Sequence, residues 1–277
     1  SSILRGRKDN KGAERVLGNS VTALVALGII IPLLCFLLRR PVLYLFGASD
    51  ATYGYADQYI SIYLAGSLPV MLTLGLNPFI NAQGFAKYGM VTVGIGAALN
   101  LVLDPVFIFA FGMGIRGAAV ATVISQLVSC LWVLRFLTGP KNLIPLRKEY
   151  LKPDWRGMGR ICGLGVSSFI MQITESAVSA VFNANLHRFG GDIYVTAMTV
   201  ATSISQIYFM VISGFGQGAQ PVTGFNYGAG EYGRVRQCFR FLTGACLAYA
   251  TVMWLVLQLF MPQVIAIFND DPELLTV

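Results

Sequence analysis

Charge is what this sequence lacks most: Asp, Glu, Lys and Arg make up 12% of its 277 residues, about half the share of a soluble globular chain. With 55% hydrophobic residues and a mean hydropathy of +0.65, a water-soluble domain of this size is excluded; much of the apolar surface must meet lipid. Histidine is reduced to His187 alone, and the five cysteines (Cys35, Cys130, Cys162, Cys238 and Cys246) form no CxxC. A disulfide framework and a zinc site are therefore not expected. A paired-aspartate DDxxD, an HExxH and a GxSxG are also missing from the apolar stretches, which argues against an intramembrane enzyme. The chain starts without Met or a signal peptide and stops on Leu-Leu-Thr-Val, so both ends are expected to be cut.

What is present is length in apolar runs. A bilayer core about 30 Å thick needs about 20 mostly apolar residues per helix, and seven stretches qualify: 17–38, 57–82, 87–111, 115–138, 161–186, 195–222 and 240–268. Pro32, Pro69, Pro78 and Pro105 inside them are ordinary for membrane helices. The small residues of Gly114–Ala121 are of the kind that lets helices approach closely in lipid. Of the twenty Lys and Arg, sixteen fall on one side of these spans and four (Arg39, Arg40, Arg116 and Arg188) on the other. The positive-inside bias places the N-terminal segment and the 139–160 loop in the cytoplasm. The net charge of +7 is thus a topology signal scattered over short loops, and no nucleic-acid partner is expected.

The 139–160 loop carries three prolines and six basic residues and reads as a linker between two bundles. Four spans precede it and three follow. Shifted by 222 residues the termini resemble each other: Gly6–Asp9 lies over Gly228–Glu231, and Pro41–Phe46 over Pro262–Phe268. The first span then matches the seventh, so the repeat is six spans long and both copies share an orientation. A parent of twelve spans in two lobes, about 440 residues or more, is expected. On that reading 1–138 are the last four helices of the N-terminal lobe, 139–160 the cytoplasmic linker, and 161–277 the first three helices of the C-terminal lobe.

Two carboxylates, Asp104 and Glu175, fall well inside the spans, with no Lys or Arg deep enough to pair with them. An ionisable group in a membrane helix costs at least about 2.5–3.5 kcal/mol and marks a functional site by default. Asn100 stands four residues before Asp104 and shares its helix face. The turn between spans three and four centres near Met113; Asp104 lies nine residues before it and Thr122 nine after, so an antiparallel pair puts them at one depth. On the preceding span Asn77 precedes Pro78, whose missing N–H frees a carbonyl. Asp104, Asn100, Asn77 and Thr122 are therefore expected to form an oxygen cage for a hard monovalent cation, Na⁺ included. Flexible and aromatic residues that could line a substrate cavity are Met171, Gln172, Gln206, Tyr208, Phe209 and Met210. His187, at a span end beside Arg188, reads as an interfacial residue rather than a proton relay.

The runs Asn77-Pro-Phe-Ile-Asn-Ala-Gln-Gly-Phe-Ala-Lys87, Ala98-Leu-Asn-Leu-Val-Leu-Asp-Pro-Val-Phe-Ile-Phe109 and Gly112–Gln126, with Gln217–Pro221 and Asn226–Ala229, resemble the MATE (multidrug and toxic compound extrusion) transporters. The resemblance implies an all-α membrane protein of twelve helices in two lobes, of which this chain covers roughly helices three to nine. It implies no enzyme and no cofactor, but a plasma-membrane antiporter, monomeric when full length, exporting cationic amphipathic compounds in exchange for Na⁺ or H⁺. It implies that Asn77, Asn100, Asp104 and Thr122 belong to the N-terminal-lobe cation site, completed by an Asp on the absent first helix. Glu175 matches an acidic position of the seventh helix, a second cation or substrate site. The alternative within the superfamily is a lipid-linked oligosaccharide flippase; such proteins line their cavity with Arg or Lys, and none lies deep in these spans.

Overall fold

The computed structural model describes residues 1–45, 50–140, 142–189 and 191–268. Phe46 and the acidic turn after Phe268, both used in the repeat comparison, lie outside them, as does the side chain of His187. The described residues are helical, with no strand among them: α1 (Ser2–Gly6), α2 (Asn10–Leu37), α3 (Arg39–Leu45), α4 (Asp50–Ala65), α5 (Ser67–Ala82), α6 (Ala86–Pro105), α7 (Ile115–Thr138), α8 (Trp155–Phe189), α9 (Gly191–Gly228) and α10 (Tyr232–Phe268). Five helices are long and apolar enough to cross a bilayer, six if the bent pair α4–α5 counts as one span. The sixth expected span, 195–222, lies within α9, which is not among those found in the described residues.

Two of the expected spans are interrupted. The 57–82 stretch bends by 57° at the α4–α5 junction. Pro69 cannot donate to the carbonyl four residues back, and Gly66 at the bend lies against Val123 of α7, whose methyls an added Cβ would overlap. The 87–111 stretch leaves the α-helix at Pro105 and continues as a π-helical turn, Val106–Ala110. The Phe111 N–H accordingly reaches the Val106 carbonyl at 3.0 Å, five residues back. Gly112 and Gly114, at φ 63° and 54°, then reverse the chain into α7.

The chain divides into two compact units, Ser1–Gly159 and Arg160–Val277. In the first, α2, α5 and α7 enclose a core in which Leu17, Leu76, Ile80, Val133, Leu137 and Ile144 are fully buried. α2 and α5 approach closely because glycine meets leucine in both directions: a Cβ on Gly28 would stand 2.7 Å from Leu68, and one on Gly75 would stand 2.5 Å from Leu24. Such steric fit is the main source of helix association in lipid. α1 completes this end of the bundle, the Arg5 guanidinium donating to the Ala82 carbonyl at 2.6 Å and occupying an otherwise open α5 C-terminus.

The segment before residue 160 is bound to the first unit. Ile144 reaches the core, and Gln83 Oε1 accepts from the N–H groups of Leu143 (2.8 Å) and Ile144 (3.1 Å). Thr22 donates to the Leu151 carbonyl at 2.8 Å, Asn19 Oδ1 accepts from the Asp154 N–H at 3.1 Å, and Arg147 pairs with the buried Glu14 at 3.1 Å. In the second unit α9 packs along α10, with Tyr208 stacked on Tyr249 at 5.8 Å.

Candidate functional site

The α6–α7 hairpin turns at Phe111–Gly114, so α6 residues before it and α7 residues after it face each other at matching heights. Asn100 and Asp104 lie on one α6 face, and the Asn100 amide donates to Asp104 Oδ1 at 3.1 Å. The same amide reaches Thr122 Oγ1 on α7 at 3.4 Å, while the Thr122 hydroxyl donates to the Ala118 carbonyl at 2.9 Å. Three of the four residues grouped on sequence are thus adjacent. Asp104 forms no ion pair among the described residues. Its carboxylate is held at the last α-helical turn before the π-turn, where Pro105 has withdrawn one backbone donor. A carboxylate, an amide and a hydroxyl offer hard oxygen donors, the kind that suit alkali cations and protons; no cluster of three His, Cys, Asp or Glu suited to a transition metal occurs among the described residues.

Asn77 is placed elsewhere. Its amide donates to the Gly89 carbonyl on α6 at 3.2 Å, and Gly89 precedes Asn100 by about 16 Å of helix rise. The structure therefore does not bring Asn77 to the Asp104 carboxylate. The physical reason is the position of the α5–α6 turn, which sets Asn77 opposite the first turns of α6.

Between the two lies a cavity of about 230 Å³ at the α5–α6–α7 seam, reaching from Asn100 and Thr122 to Thr73, Thr92, Ser125 and Ser129. Sequence reasoning missed this part. The signal was there: Thr92, Gly96, Asn100 and Asp104 recur every four residues along α6, and Thr122, Ser125 and Ser129 fall at helical spacing on α7. Gly96 gives Ser129 its room, since an added Cβ would come within 2.8 Å of the Ser129 hydroxyl.

In the second unit Glu175, Met171 and Gln172 lie on a stretch of α8, Cys162–Ser179, that is exposed throughout. Gln206, Phe209 and Met210 on α9 are exposed as well, and Tyr208 is half-buried. No hydrogen bond or ion pair links Glu175 to these residues among those described.

A multi-pass helical membrane protein with a carboxylate, amide and hydroxyl gathered inside one helix bundle is the class that fold and site define. Comparison with known proteins narrows it: the MatE family model matches residues 2–106 and 167–277, and the chain belongs to the MATE family. Among curated relatives, the multidrug export protein MepA of Staphylococcus saprophyticus is 23% identical over 270 residues, covering 98% of this chain and 59% of that protein. MepA of Staphylococcus aureus strain NCTC 8325 is 24% identical over 239 residues, covering 86% of this chain and 52% of that protein. The chain thus spans between about half and three-fifths of these relatives. A MOP superfamily transporter from Pyrococcus furiosus superposes with a TM-score of 0.91 at 24% identity, over 99% of this chain and 61% of that one. A multidrug resistance MATE transporter in an outward-facing conformation gives the same TM-score, identity and coverage. Both likenesses concern the fold.

Proposed function

We propose that the chain forms part of a secondary active antiporter that exports cationic amphipathic compounds, using the inward movement of Na⁺ or H⁺, with its coupling cation held at Asp104, Asn100 and Thr122. The observation that carries this reading is the Asn100 amide placed between Asp104 Oδ1 and Thr122 Oγ1 within apolar helices. An unpaired carboxylate in that setting needs a cation or a proton. The multidrug export activity of the MepA relatives supports the substrate class. On this reading residues 1–138 belong to the N-terminal lobe, 139–160 form a cytoplasmic linker and 161–277 open the C-terminal lobe.

Cation and substrate would favour opposite-facing arrangements of a two-lobed carrier, each shifting the equilibrium by its differential affinity. Within the first unit, the Asn100 amide donates to both Asp104 Oδ1 and Thr122 Oγ1, and the Thr122 hydroxyl, having given its proton to the Ala118 carbonyl, is left as an acceptor. Glu175 remains the second choice, as a cation or substrate group of the C-terminal lobe. The flippase alternative needs Lys or Arg deep in the helices, and those of the described spans stand near their ends. The test is Asp104→Asn in the full-length transporter, with efflux from vesicles driven by Na⁺ and by pH gradients applied separately. Loss of gradient-driven efflux is expected; unchanged efflux under both gradients would sink the assignment.

A further inference from the structure

Buried polar atoms without partners are rare in folded proteins, and each calls for an explanation. The first unit has six among the described residues, and three of them line up. Ser125, 1% exposed, lines the α5–α6–α7 cavity, and its hydroxyl has no hydrogen-bond partner among the described residues. Asn77 Oδ1 and Asn81 Oδ1 are also buried and unpartnered. Thr73, Asn77 and Asn81 are each four residues apart on α5, so they share one face. That face looks onto the start of α6: Asn77 donates to the Gly89 carbonyl, and Asn81 lies against Gly89, where an added Cβ would overlap its side-chain oxygen. The cavity begins at Asn100 and Thr122, passes Ser125 and ends beside Thr73. One helical turn further along α5 stands Asn77, and one more turn reaches Asn81, next to the Gln83–Gly84 turn that closes the helix.

We infer that this seam is a hydrated lane through the first unit, by which a monovalent cation or water-borne proton passes between the Asp104 site and the bundle end at the α5–α6 turn. The volume agrees: about 230 Å³ is well above the roughly 30 Å³ that one water occupies, and a buried water needs two to four polar partners. Ser125, Thr92, Ser129 and Thr73 line it, and the unpartnered oxygens of Ser125, Asn77 and Asn81 are spaced to relay it onward. The lane also gives Asn77 a place in ion traffic that its distance from Asp104 denies it within the cage. It differs from an opening between two lobes, since every residue in it belongs to the first unit.

The inference rests on Asp104 as the cation site, and the experiment separates the two. In the full-length transporter with native cysteines replaced, Ser125→Cys and Leu127→Cys are each exposed to Ag⁺, and adducts are followed by intact-protein mass spectrometry. Thiolate, the reacting form, is favoured by water, so the thiol at position 125 is expected to react about tenfold faster or more than the one at 127, which faces outward on the same helix. Equal or slower reaction overturns the lane. A second measurement needs no substitution: hydroxyl-radical oxidation of Leu74 and Val93, which line the cavity, is compared with that of Leu101 and Val102, matched in type and exposure but outside it. Preferential oxidation of the first pair supports the lane, and parity refutes it. If Asp104→Asn leaves efflux unchanged while the thiol at position 125 still reacts fast, the coupling reading fails and the hydrated seam stands. If Asp104→Asn abolishes efflux and that thiol reacts no faster than its control, the lane alone fails.

Discussion

Gln83→Leu isolates the joint between the first unit and the segment that leads out of it. Gln83 Oε1 accepts from two backbone N–H groups, Leu143 at 2.8 Å and Ile144 at 3.1 Å. The Ile144 N–H has a second acceptor, Asn142 Oδ1 at 3.1 Å, so only the Leu143 N–H loses its acceptor outright. Leu143 is exposed, so water can replace the lost acceptor, and the loss is that of an ordinary hydrogen bond, about 1 kcal/mol. The leucine also removes the buried, unpartnered Gln83 Nε2, which offsets part of this loss. That free energy acts on local opening of residues 142–151, and a protease working on the open form reports it directly when closing is fast. Tryptic cleavage after Arg147 and Lys148 in the detergent-solubilised full-length protein should therefore accelerate by up to about fivefold, taking 1.4 kcal/mol per decade. Adding Asn142→Ala should accelerate it further than the sum of the separate effects, because both N–H groups are then orphaned. Cleavage at the parent's rate, with additive effects in the pair, would refute the account of how this segment is held.

Asn100→Leu removes the amide between Asp104 and Thr122 and should raise the cation concentration for half-maximal efflux about tenfold or more, since a hydrogen bond to a charged group is worth about 1.5–3 kcal/mol; Thr122→Val, losing a longer 3.4 Å contact, should have the smaller effect. Gly75→Leu forces four carbons into the space held by Leu24 and should lower the melting temperature in detergent, at about 1–3 kcal/mol of overpacking; an unchanged Tm would contradict the close α2–α5 approach. Arg147→Ala leaves the buried Glu14 without its cation, but Arg147 is itself exposed, so the expected cost is only about 1 kcal/mol. Hydrogen exchange at residues 147–151 should rise accordingly, and Glu14→Gln added to it should reverse most of the rise.

The outline of the helices was legible because bilayer thickness imposes it: 115–138 was expected and α7 is Ile115–Thr138, with glycine before it and Gly139 after. The break at Gly66 was not. Pro69 alone does not bend a membrane helix, and the bend also needs Val123 of α7 lying against Gly66, a tertiary contact that local sequence does not encode. The meeting of Asp104, Asn100 and Thr122 followed from counting outward from Met113, which works because α6 and α7 are joined by a short antiparallel turn. The same counting, applied to the turn near Gly84–Phe85, places Asn77 opposite the Gly89–Thr92 turn of α6, which is where it lies. Chemistry rather than depth put Asn77 in the cage on sequence. The buried end of the 139–160 segment was illegible for a different reason: its prolines and basic residues read as a linker, while Ile144, one apolar side chain, decides that it packs into the core.

These particulars meet on α5. One of its faces carries Leu72, Leu76 and Ile80 into the core with α2 and α7, and the other presents Thr73 and Asn77 to the polar seam. Its C-terminal end is held by Arg5 and supplies Gln83 to the outgoing segment. An apolar core resists displacement because close-packed side chains lose dispersion contacts on any shift, whereas hydroxyls and amides can exchange partners within a seam at little cost. The helix is therefore stiff along the face that holds residues 143 and 144 and adaptable along the face nearer Asp104. A change at Asp104 that moves α5 must move it as a body, carrying Gln83 with it, and the attachment of residues 143 and 144 is the part of the first unit where such a movement would first be felt.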